Sequence, residues 1–277
     1  MKLKVFQDKN NLILDDVECF DVPLCLDCGQ AFRWQKGSDN IWQGVACGKF
    51  LRISQEGNKV TLYNTTENDF NNLWRKYFDL DRDYNKIIRS YDDESLMVAC
   101  ETYPGIRILK QDEWEALCSF IISANNNIPR IKGIINRLCE QFGDEIDGGY
   151  TFPTAEKLST LTVEDLAPIR SGFRAKYIID AAKKVANGEV NLEALKDLPY
   201  EKAQAELLKI KGVGPKVADC ALLFSHRHID AFPKDVWIKK ALTVLFGGEL
   251  PKEAVPYAGI VQQYIFFYAR ETKLNIN

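Results

Sequence analysis

The sequence of 277 residues has little of what metal sites and membrane spans require. It has two histidines, His226 and His228, and its eight cysteines are spread along the chain with none after Cys220. The CxxC pair Cys25–Cys28 lacks a second pair of ligands for zinc. No apolar run approaches the roughly 18 residues of a membrane helix, and the first ten residues are charged and polar. The sequence therefore predicts a cytoplasmic protein with reduced thiols and no bound metal.

The chain also lacks the excess of basic residues that many nucleic-acid-binding domains show. Its net charge is −3, which does not by itself suggest such a partner. The segment from Ala205 to Lys240 differs, since it has seven Lys and Arg against four Asp and Glu, a net charge of +3. A local basic face on an acidic protein is therefore compatible with the sequence.

The first 65 or so residues favour antiparallel β-structure. Short runs rich in aromatic and β-branched residues alternate with turn sequences such as Gly37-Ser-Asp-Asn40. The predicted strands are Ala31–Lys36, Ile41–Ala46, Lys49–Ser54 and Lys59–Asn64.

The rest of the chain favours helices. Thr66 with Asp69 resembles a helix-capping box, Pro129 suits a first helical turn, and Gly143 suits the end of that helix. Other predicted helices are Gln111–Ala124, Phe173–Ala186 and Val236–Phe246. The fold class is thus predicted as α+β: an N-terminal antiparallel-sheet subdomain, residues 1–103, followed by a helical body, residues 104–277, with a helix-hairpin-helix at about 203–225.

The segment Leu207–Phe224 predicts two helices joined by a tight glycine hairpin. Gly212 and Gly214 can adopt positive φ and let another backbone approach, and Pro215 suits the first turn of the second helix. A helix N-terminus beside a glycine loop is a ready anion site, and a DNA phosphate fits it. An ordinary turn between two helices is the alternative.

Lys216 and Asp235 are the candidate catalytic residues. Lys216 falls in the first turn of a helix, where the dipole disfavours positive charge, and a neutral amine is the form that makes a Schiff base. Asp235 precedes an apolar helix and could cap it, stabilise a cationic sugar, or do both. The alternative for Lys216 is a structural lysine that faces solvent.

The chain resembles the 8-oxoguanine DNA glycosylase/lyase family of the helix-hairpin-helix superfamily with its Gly/Pro-rich loop and Asp. Beyond the hairpin, Lys216 and Asp235, the resemblance covers nearly the whole chain. Five segments in the same order support it: Cys28–Trp34, Ile106–Arg130, Gly172–Tyr177, Gly212–Cys220 and Tyr257–Phe266.

The resemblance implies a base-excision reaction on DNA. Lys216 would attack the sugar C1′ of a flipped-out 8-oxoguanine nucleotide and form a Schiff base, which permits β-elimination, and Asp235 would assist. The partner would be double-stranded DNA containing oxidised guanine, with the enzyme acting as a monomer. No cofactor is implied, although carbonyl oxygens of such a hairpin can hold a monovalent cation.

The resemblance also implies roles in recognition. The carbonyl of Gly29 would accept from the N7–H that only the oxidised base has. Cys220 and Phe266 would hold the base between them, Gln262 would read its Watson–Crick edge, and Phe32 joins the base-recognition group. Without the resemblance, Phe266 could be core, Gln262 a solvated residue and Gly29 a turn glycine.

A third group would contact DNA and the opposite base. Asn125, Arg130 and Arg174 would hold the cytosine left behind, and Phe173 would wedge into the base stack. Further DNA contacts are expected at Gly212, Gly214 and Trp237. Asn125 could otherwise be part of a helix-ending turn.

The sequence departs from the family pattern at three positions. Trp237 stands where a phosphate-contacting histidine is found, Phe173 replaces a tyrosine, and Lys234 replaces an apolar residue. The departure at Trp237 puts the phosphate contact at that position in question. The departure at Phe173 puts the selection of the opposite base in question.

Two other functions compete with this interpretation. One is a glycosylase for another lesion such as an alkylated purine, but those enzymes generally lack the lysine found at Lys216. The other is a non-catalytic helix-hairpin-helix protein that only grips DNA, which would leave Lys216 and Asp235 unexplained.

Overall fold

The N-terminal sheet is larger than the sequence pattern indicates. The computed structural model describes residues 3–274, and in that range the strands form a six-stranded sheet of order β1-β2-β6-β5-β4-β3 and a two-stranded ribbon β7-β8. The strands are β1 (Lys4–Asp8), β2 (Asn11–Asp15), β3 (Trp34–Lys36), β4 (Trp42–Ala46), β5 (Lys49–Glu56), β6 (Lys59–Tyr63), β7 (Glu145–Ile146) and β8 (Gly149–Tyr150). The four predicted strands are present as β3 to β6, with β3 beginning at Trp34 rather than Ala31, and β1 and β2 are added.

Helices account for most of the remaining chain. The α-helices are α1 (Val22–Asp27), α2 (Glu67–Asp69), α3 (Arg75–Tyr77), α4 (Tyr84–Ile88), α5 (Glu94–Thr102), α6 (Glu113–Ser123), α7 (Ile128–Phe142), α8 (Ala155–Ser159), α9 (Ala175–Ala186), α10 (Tyr200–Leu207), α11 (Pro215–His226), α12 (Val236–Phe246) and α13 (Ala258–Thr272). A π-helix, Phe70–Trp74, joins α2 to α3, and short 3-10 helices occupy Ala167–Ile169, Gly172–Arg174, Glu193–Asp197 and Lys252–Tyr257. In the part of the chain that the structure describes, no helix is long and apolar enough to cross a membrane.

The helices begin where the sequence supplies a cap and bury one apolar stripe. The side chain of Thr66 accepts from the Asp69 N–H, as predicted, and Asn127 caps α7 in the same way. α7 buries Ile131, Ile134, Ile135 and Leu138, which share one face at helical spacing. Gly143 ends α7 as predicted.

Contacts divide the chain into two units. Unit 1 comprises Met1–Gln30, Arg52–Lys110 and His228–Asn277, and unit 2 comprises Ala31–Leu51 and Gln111–Arg227. The predicted domain boundary between residues 103 and 104 follows the change in composition. The two units do not follow that boundary, because each is built from segments that are separated in the sequence. The hairpin lies in unit 2, and α12 and α13 lie in unit 1.

Candidate active site

The predicted helix-hairpin-helix is formed by α10 and α11 in unit 2. Gly214 is the N-cap of α11, and the Ala218 N–H donates to the Gly214 carbonyl at 3.0 Å as the first intrahelical bond. The N–H groups of Lys216 and Val217 therefore come before that bond, and Gly214 has no side chain to cap them. This is the arrangement that binds an anion at a helix N-terminus.

The two hairpin glycines have different reasons to be glycine. Gly212 has φ of +82°, and a Cβ placed on it would lie less than 3.0 Å from ring carbons of Tyr177. Gly214 has φ of −99°, which any residue can adopt, and a Cβ there meets nothing within 4 Å. The expected need for glycine is thus present at Gly212, while Gly214 is neither strained nor crowded by protein atoms.

Lys216 lies against an aromatic wall in unit 2. Its side chain is half-buried, and Nζ is 5.7 Å from the centroid of the Phe120 ring. Phe120 stacks on Phe224 at 5.4 Å between centroids and meets Phe32 edge-on at 5.8 Å. The lysine is therefore not turned wholly to solvent, and Phe32 serves as one of the buried rings of this wall.

Cys220 lies one helical turn after Lys216 on α11, as the spacing predicts. Cys220 is buried, with 4% of its surface exposed. The spacing of four residues places the Cys220 and Lys216 side chains on one face of the helix.

Unit 2 also brings together the residues predicted to face the opposite base. The Arg174 guanidinium donates to the carbonyl of Ala124 and, at 2.8 Å, to the carbonyl of Asn125. Asn125 has φ of +49°, so these bonds hold a left-handed turn after α6. Burial and the neighbouring positive charge of Arg130 lower the pKa of Arg174.

Arg174 and Arg130 therefore differ in what they offer. Arg174 is 2% exposed and its donors are directed at backbone carbonyls, whereas Arg130 is exposed at the start of α7. Of the two arginines, Arg130 is therefore the more accessible from solvent.

Phe173 projects from the same region. Its side chain is 52% exposed, which is unusual for a large apolar residue and fits the predicted wedge. The Arg174 guanidinium lies 4.4 Å from its ring centroid, and the Tyr177 ring meets it edge-on at 6.1 Å. Arg174 and Tyr177 therefore pack against the Phe173 ring, and about half of Phe173 is exposed to solvent.

Unit 1 carries the residues predicted to read the base. Gln262 on α13 is 5% exposed, and its Nε2 donates to the Pro233 carbonyl at 3.2 Å. The Gln262 Oε1 is buried and accepts no hydrogen bond from the described residues. Such an atom is costly to leave unpaired, so it marks a place where a ligand N–H could bind.

Phe266 lies one turn after Gln262 on α13. It is half-buried, and the Arg270 guanidinium is 5.6 Å from its ring centroid. Part of this ring is therefore available at the surface of unit 1, unlike the fully packed Ile265 beside it.

Asp235 caps α12, as one of its two predicted roles requires. Its Oδ1 accepts from the Ile238 N–H at 2.8 Å, and the side chain is half-buried. The predicted helix Val236–Phe246 has those bounds in the structure. Trp237 is the second residue of this helix and is half-buried.

The CxxC pair is structural. Cys25 and Cys28 are fully buried, and burial raises the pKa of Cys28 to about 11 and that of Cys25 well above its usual value. The Cys25 thiol donates to the Gly105 carbonyl at 3.2 Å. No group of three or more metal-ligating side chains comes together in residues 3–274.

Gly29 directly follows Cys28, the second cysteine of this pair. It is half-buried with φ of +89°, a conformation that favours glycine. Gly29 therefore lies in a bend of the chain whose backbone conformation favours glycine.

Three residues of these sites had no predicted role. Phe120 forms the wall beside Lys216, Tyr177 packs on Gly212, and Gln263 on α13 donates to the Cys28 carbonyl at 3.0 Å. Tyr177 belongs to a segment that carried the family resemblance, but only the fold shows that its ring lies against the hairpin.

The glycine hairpin, the lysine at the start of its second helix and the capping aspartate define a class, the helix-hairpin-helix DNA glycosylases. A family profile described as HhH-GPD superfamily base excision DNA repair protein matches residues 118–255. A second profile, described as the N-terminal domain of 8-oxoguanine DNA glycosylase, matches residues 12–117.

Known proteins narrow the class. The 8-oxoguanine glycosylase/lyase of Clostridium acetobutylicum, solved with double-stranded DNA containing cytosine opposite 8-oxoguanine, is 40% identical with a TM-score of 0.92, covering 99% of this chain and 100% of that one. The N-glycosylase/DNA lyase of Saccharomyces cerevisiae is 43% identical over 153 residues, 49% of this chain and 40% of the relative. The N-glycosylase/DNA lyase OGG1 of Arabidopsis thaliana is 31% identical over 78% of this chain and 64% of the relative.

The chain belongs to the 8-oxoguanine DNA glycosylase/lyase family. It spans all of the bacterial chain, but less than two thirds of the yeast and plant relatives.

Proposed function

We propose that the protein removes 8-oxoguanine from duplex DNA and then cleaves the strand through a lysine Schiff base. The observation that carries this proposal is the placement of Lys216, half-buried at the N-terminus of α11 and against the Phe120 ring. The adjoining helix N–H groups suit a DNA phosphate, which would bring the sugar close to the amine.

The chemistry proceeds by base release, β-elimination and hydrolysis. The neutral amine of Lys216 attacks C1′, the C1′–N9 bond breaks, and its electron pair leaves with the base, which takes up a proton. The nitrogen lone pair then forms the C1′=N bond as the C1′–O4′ bond breaks, and O4′ takes up the proton that the nitrogen gives up, which leaves a ring-opened Schiff base on Lys216. Loss of a C2′ proton expels the 3′ phosphate by β-elimination. Water finally releases the lysine.

Asp235 has two roles in this proposal. As the N-cap of α12 it is held rigidly by its bond to the Ile238 N–H. Its carboxylate also offsets the positive charge that develops on the sugar as the base leaves. A fixed carboxylate is effective because it does not need to reorganise during the reaction.

Recognition of the base falls to residues of unit 1. The unpaired Gln262 Oε1 suits the N1–H and the exocyclic amine of a guanine, which are both donors. The exposed part of the Phe266 ring offers a stacking surface. The Gly29 carbonyl is proposed to accept from the N7–H of the oxidised base, which undamaged guanine lacks.

Unit 2 is proposed to hold the gap that base flipping leaves in the duplex. Phe173 would fill the stack, and Arg130 and Asn125 would bind the opposite cytosine, with Arg174 holding the turn that carries Asn125. The proposal further includes a monomeric enzyme that acts on DNA in the cytoplasm or nucleoid.

Base release from defined duplexes tests the substrate. We expect release and strand cleavage from a duplex with one 8-oxoguanine opposite cytosine, and none from the same duplex with guanine. Release of an alkylated purine in preference to 8-oxoguanine would support the alkylbase alternative. Binding without release of either base would support a non-catalytic protein.

The substitution Asp235→Asn separates the two roles of this residue. Asparagine keeps an oxygen that accepts from the Ile238 N–H, so we expect the free energy of unfolding to change by no more than about 0.5 kcal/mol. Loss of the negative charge should slow base release about 10²-fold or more. Single-turnover kinetics and urea denaturation measure the two effects.

Asp93→Asn is the matched control for this experiment. Asp93 caps α5 through the Leu96 N–H at 2.9 Å, so it has the same local geometry without the proposed chemistry. We expect its base-release rate to stay at that of the parent. If Asp235→Asn were as fast as Asp93→Asn, Asp235 would be a helix cap only.

A further inference from the structure

The loop Cys28–Gln30, here the reading loop, is held in unit 1 by two buried glutamines. Gln263 on α13 is 2% exposed, and its Nε2 donates to the Cys28 carbonyl at 3.0 Å. Gln30 is fully buried, donates to the Arg107 carbonyl at 2.8 Å and accepts from the Leu109 N–H at 3.0 Å. Gly29, between them, has φ of +89°.

We infer that Gln263 is a positioning residue that sets the direction of the Gly29 carbonyl and thereby the discrimination of 8-oxoguanine from guanine. This inference rests on the proposed function, in which that carbonyl accepts from the N7–H of the oxidised base. Gln263 itself touches neither the base nor the sugar in this proposal.

The geometry of the loop supports this role. The Cys28 carbonyl belongs to the peptide plane that runs from the Cα of Cys28 to the Cα of Gly29, so the bond from Gln263 restrains that plane. Gln30 anchors the other side of Gly29 through its bonds to the segment 107–109. Because glycine can rotate freely about φ and ψ, its carbonyl has one direction only while both neighbours are held.

The chemistry of Gln263 also argues against a simple filling role. It lies among buried apolar residues of α13 such as Val261 and Ile265, where an apolar side chain would fill the space without a polar atom to satisfy. A buried amide is retained at a cost unless it is bonded, and this amide bonds to the reading loop. The Gln263 amide also acts to lower the pKa of Cys28 and so counteracts in part the rise that burial causes.

Gln263 and the adjacent Gln262 contribute to base recognition in different ways. Gln262 donates to the Pro233 carbonyl and leaves its Oε1 for donors that guanine and 8-oxoguanine share. Gln263 acts on the only proposed contact that differs between the two bases. A hydrogen bond weakens steeply when its distance or angle departs from the favoured range, so a small change in the loop should affect discrimination first.

The test is the substitution Gln263→Met, which keeps the length of the side chain and removes the donor. It is made in the Lys216→Gln background, and dissociation constants are measured for duplexes with 8-oxoguanine or guanine opposite cytosine. We expect the preference for 8-oxoguanine to fall about tenfold, with affinity for the guanine duplex unchanged within about twofold. Gln7→Met, which removes an exposed amide that donates to the carbonyls of Lys9, Asn11 and Thr65, is the control for loss of a glutamine amide and should keep the preference.

A second measurement separates positioning from structural damage. With Lys216 intact, Gln263→Met should be trapped by borohydride on an abasic site within about twofold of the parent, because no base is read there. Loss of abasic-site trapping would make Gln263 a structural residue and overturn the inference, as would an unchanged preference. If the Lys216→Gln parent showed no preference for 8-oxoguanine, the proposed function would fail instead.

Discussion

The Lys216→Gln variant is expected to release base from an 8-oxoguanine duplex at least about 10³-fold more slowly than the parent and to form no covalent adduct with DNA. Glutamine has no nucleophilic amine, so neither attack on C1′ nor a Schiff base is available. The remaining binding surface, including the N–H groups at the start of α11, is unchanged. We therefore expect the affinity for duplex DNA to stay within about fivefold, as for loss of one phosphate-proximal charge.

Lys209→Gln is the control for this variant. Lys209 lies just after α10 and pairs with Glu206 at 2.8 Å, so its substitution removes the same charge from the same basic segment. Single-turnover base release, gel-based trapping and fluorescence anisotropy are measured on both variants. Base release by Lys216→Gln at the rate of Lys209→Gln would show that another residue is the nucleophile.

Gly212→Ala is expected to lower the free energy of unfolding by about 2–4 kcal/mol and to weaken DNA binding. The new Cβ would overlap the Tyr177 ring, and φ of +82° is unfavourable for alanine. Relief of the overlap must shift either the hairpin or Tyr177. Since Tyr177 also supports Phe173, either shift disturbs a proposed DNA contact.

Gly214→Ala is the stability control, because Gly214 has φ of −99° and nothing within 4 Å of a Cβ. We expect its free energy of unfolding to change by less than about 1 kcal/mol. Urea denaturation of both variants provides the comparison. Equal stability of the two would mean that Tyr177 does not pack on Gly212 as described.

The sequence predicts those elements whose signals are local. Thr66 caps α2 through the Asp69 N–H, α7 starts near Pro129, and α12 has its predicted bounds. Each of these features depends on residues within one turn of a helix end. In contrast, β1 is exposed at four of five positions and shows no alternation of apolar and polar residues. α1 has six residues, which is too few for a periodic pattern, so the sequence does not distinguish it from the surrounding region that was predicted as β.

The limits for the site have the same cause. Lys216 and Asp235 are recognisable because a helix start and a cap are local features. The packing of Tyr177 on Gly212 and the bond from Gln263 to Cys28 join residues far apart in the sequence, and only the fold shows them. The discontinuous units have this origin too, since long-range contacts rather than composition define them.

The central claim is that Lys216 forms a Schiff base at a nucleotide carrying oxidised guanine. Borohydride trapping on a duplex with one 8-oxoguanine opposite cytosine, beside the undamaged duplex, tests it most directly. The account predicts a covalent protein–DNA adduct on the damaged strand only, and none with Lys216→Gln. Normal binding of the damaged duplex with no adduct, or an equal adduct on undamaged DNA, would contradict it.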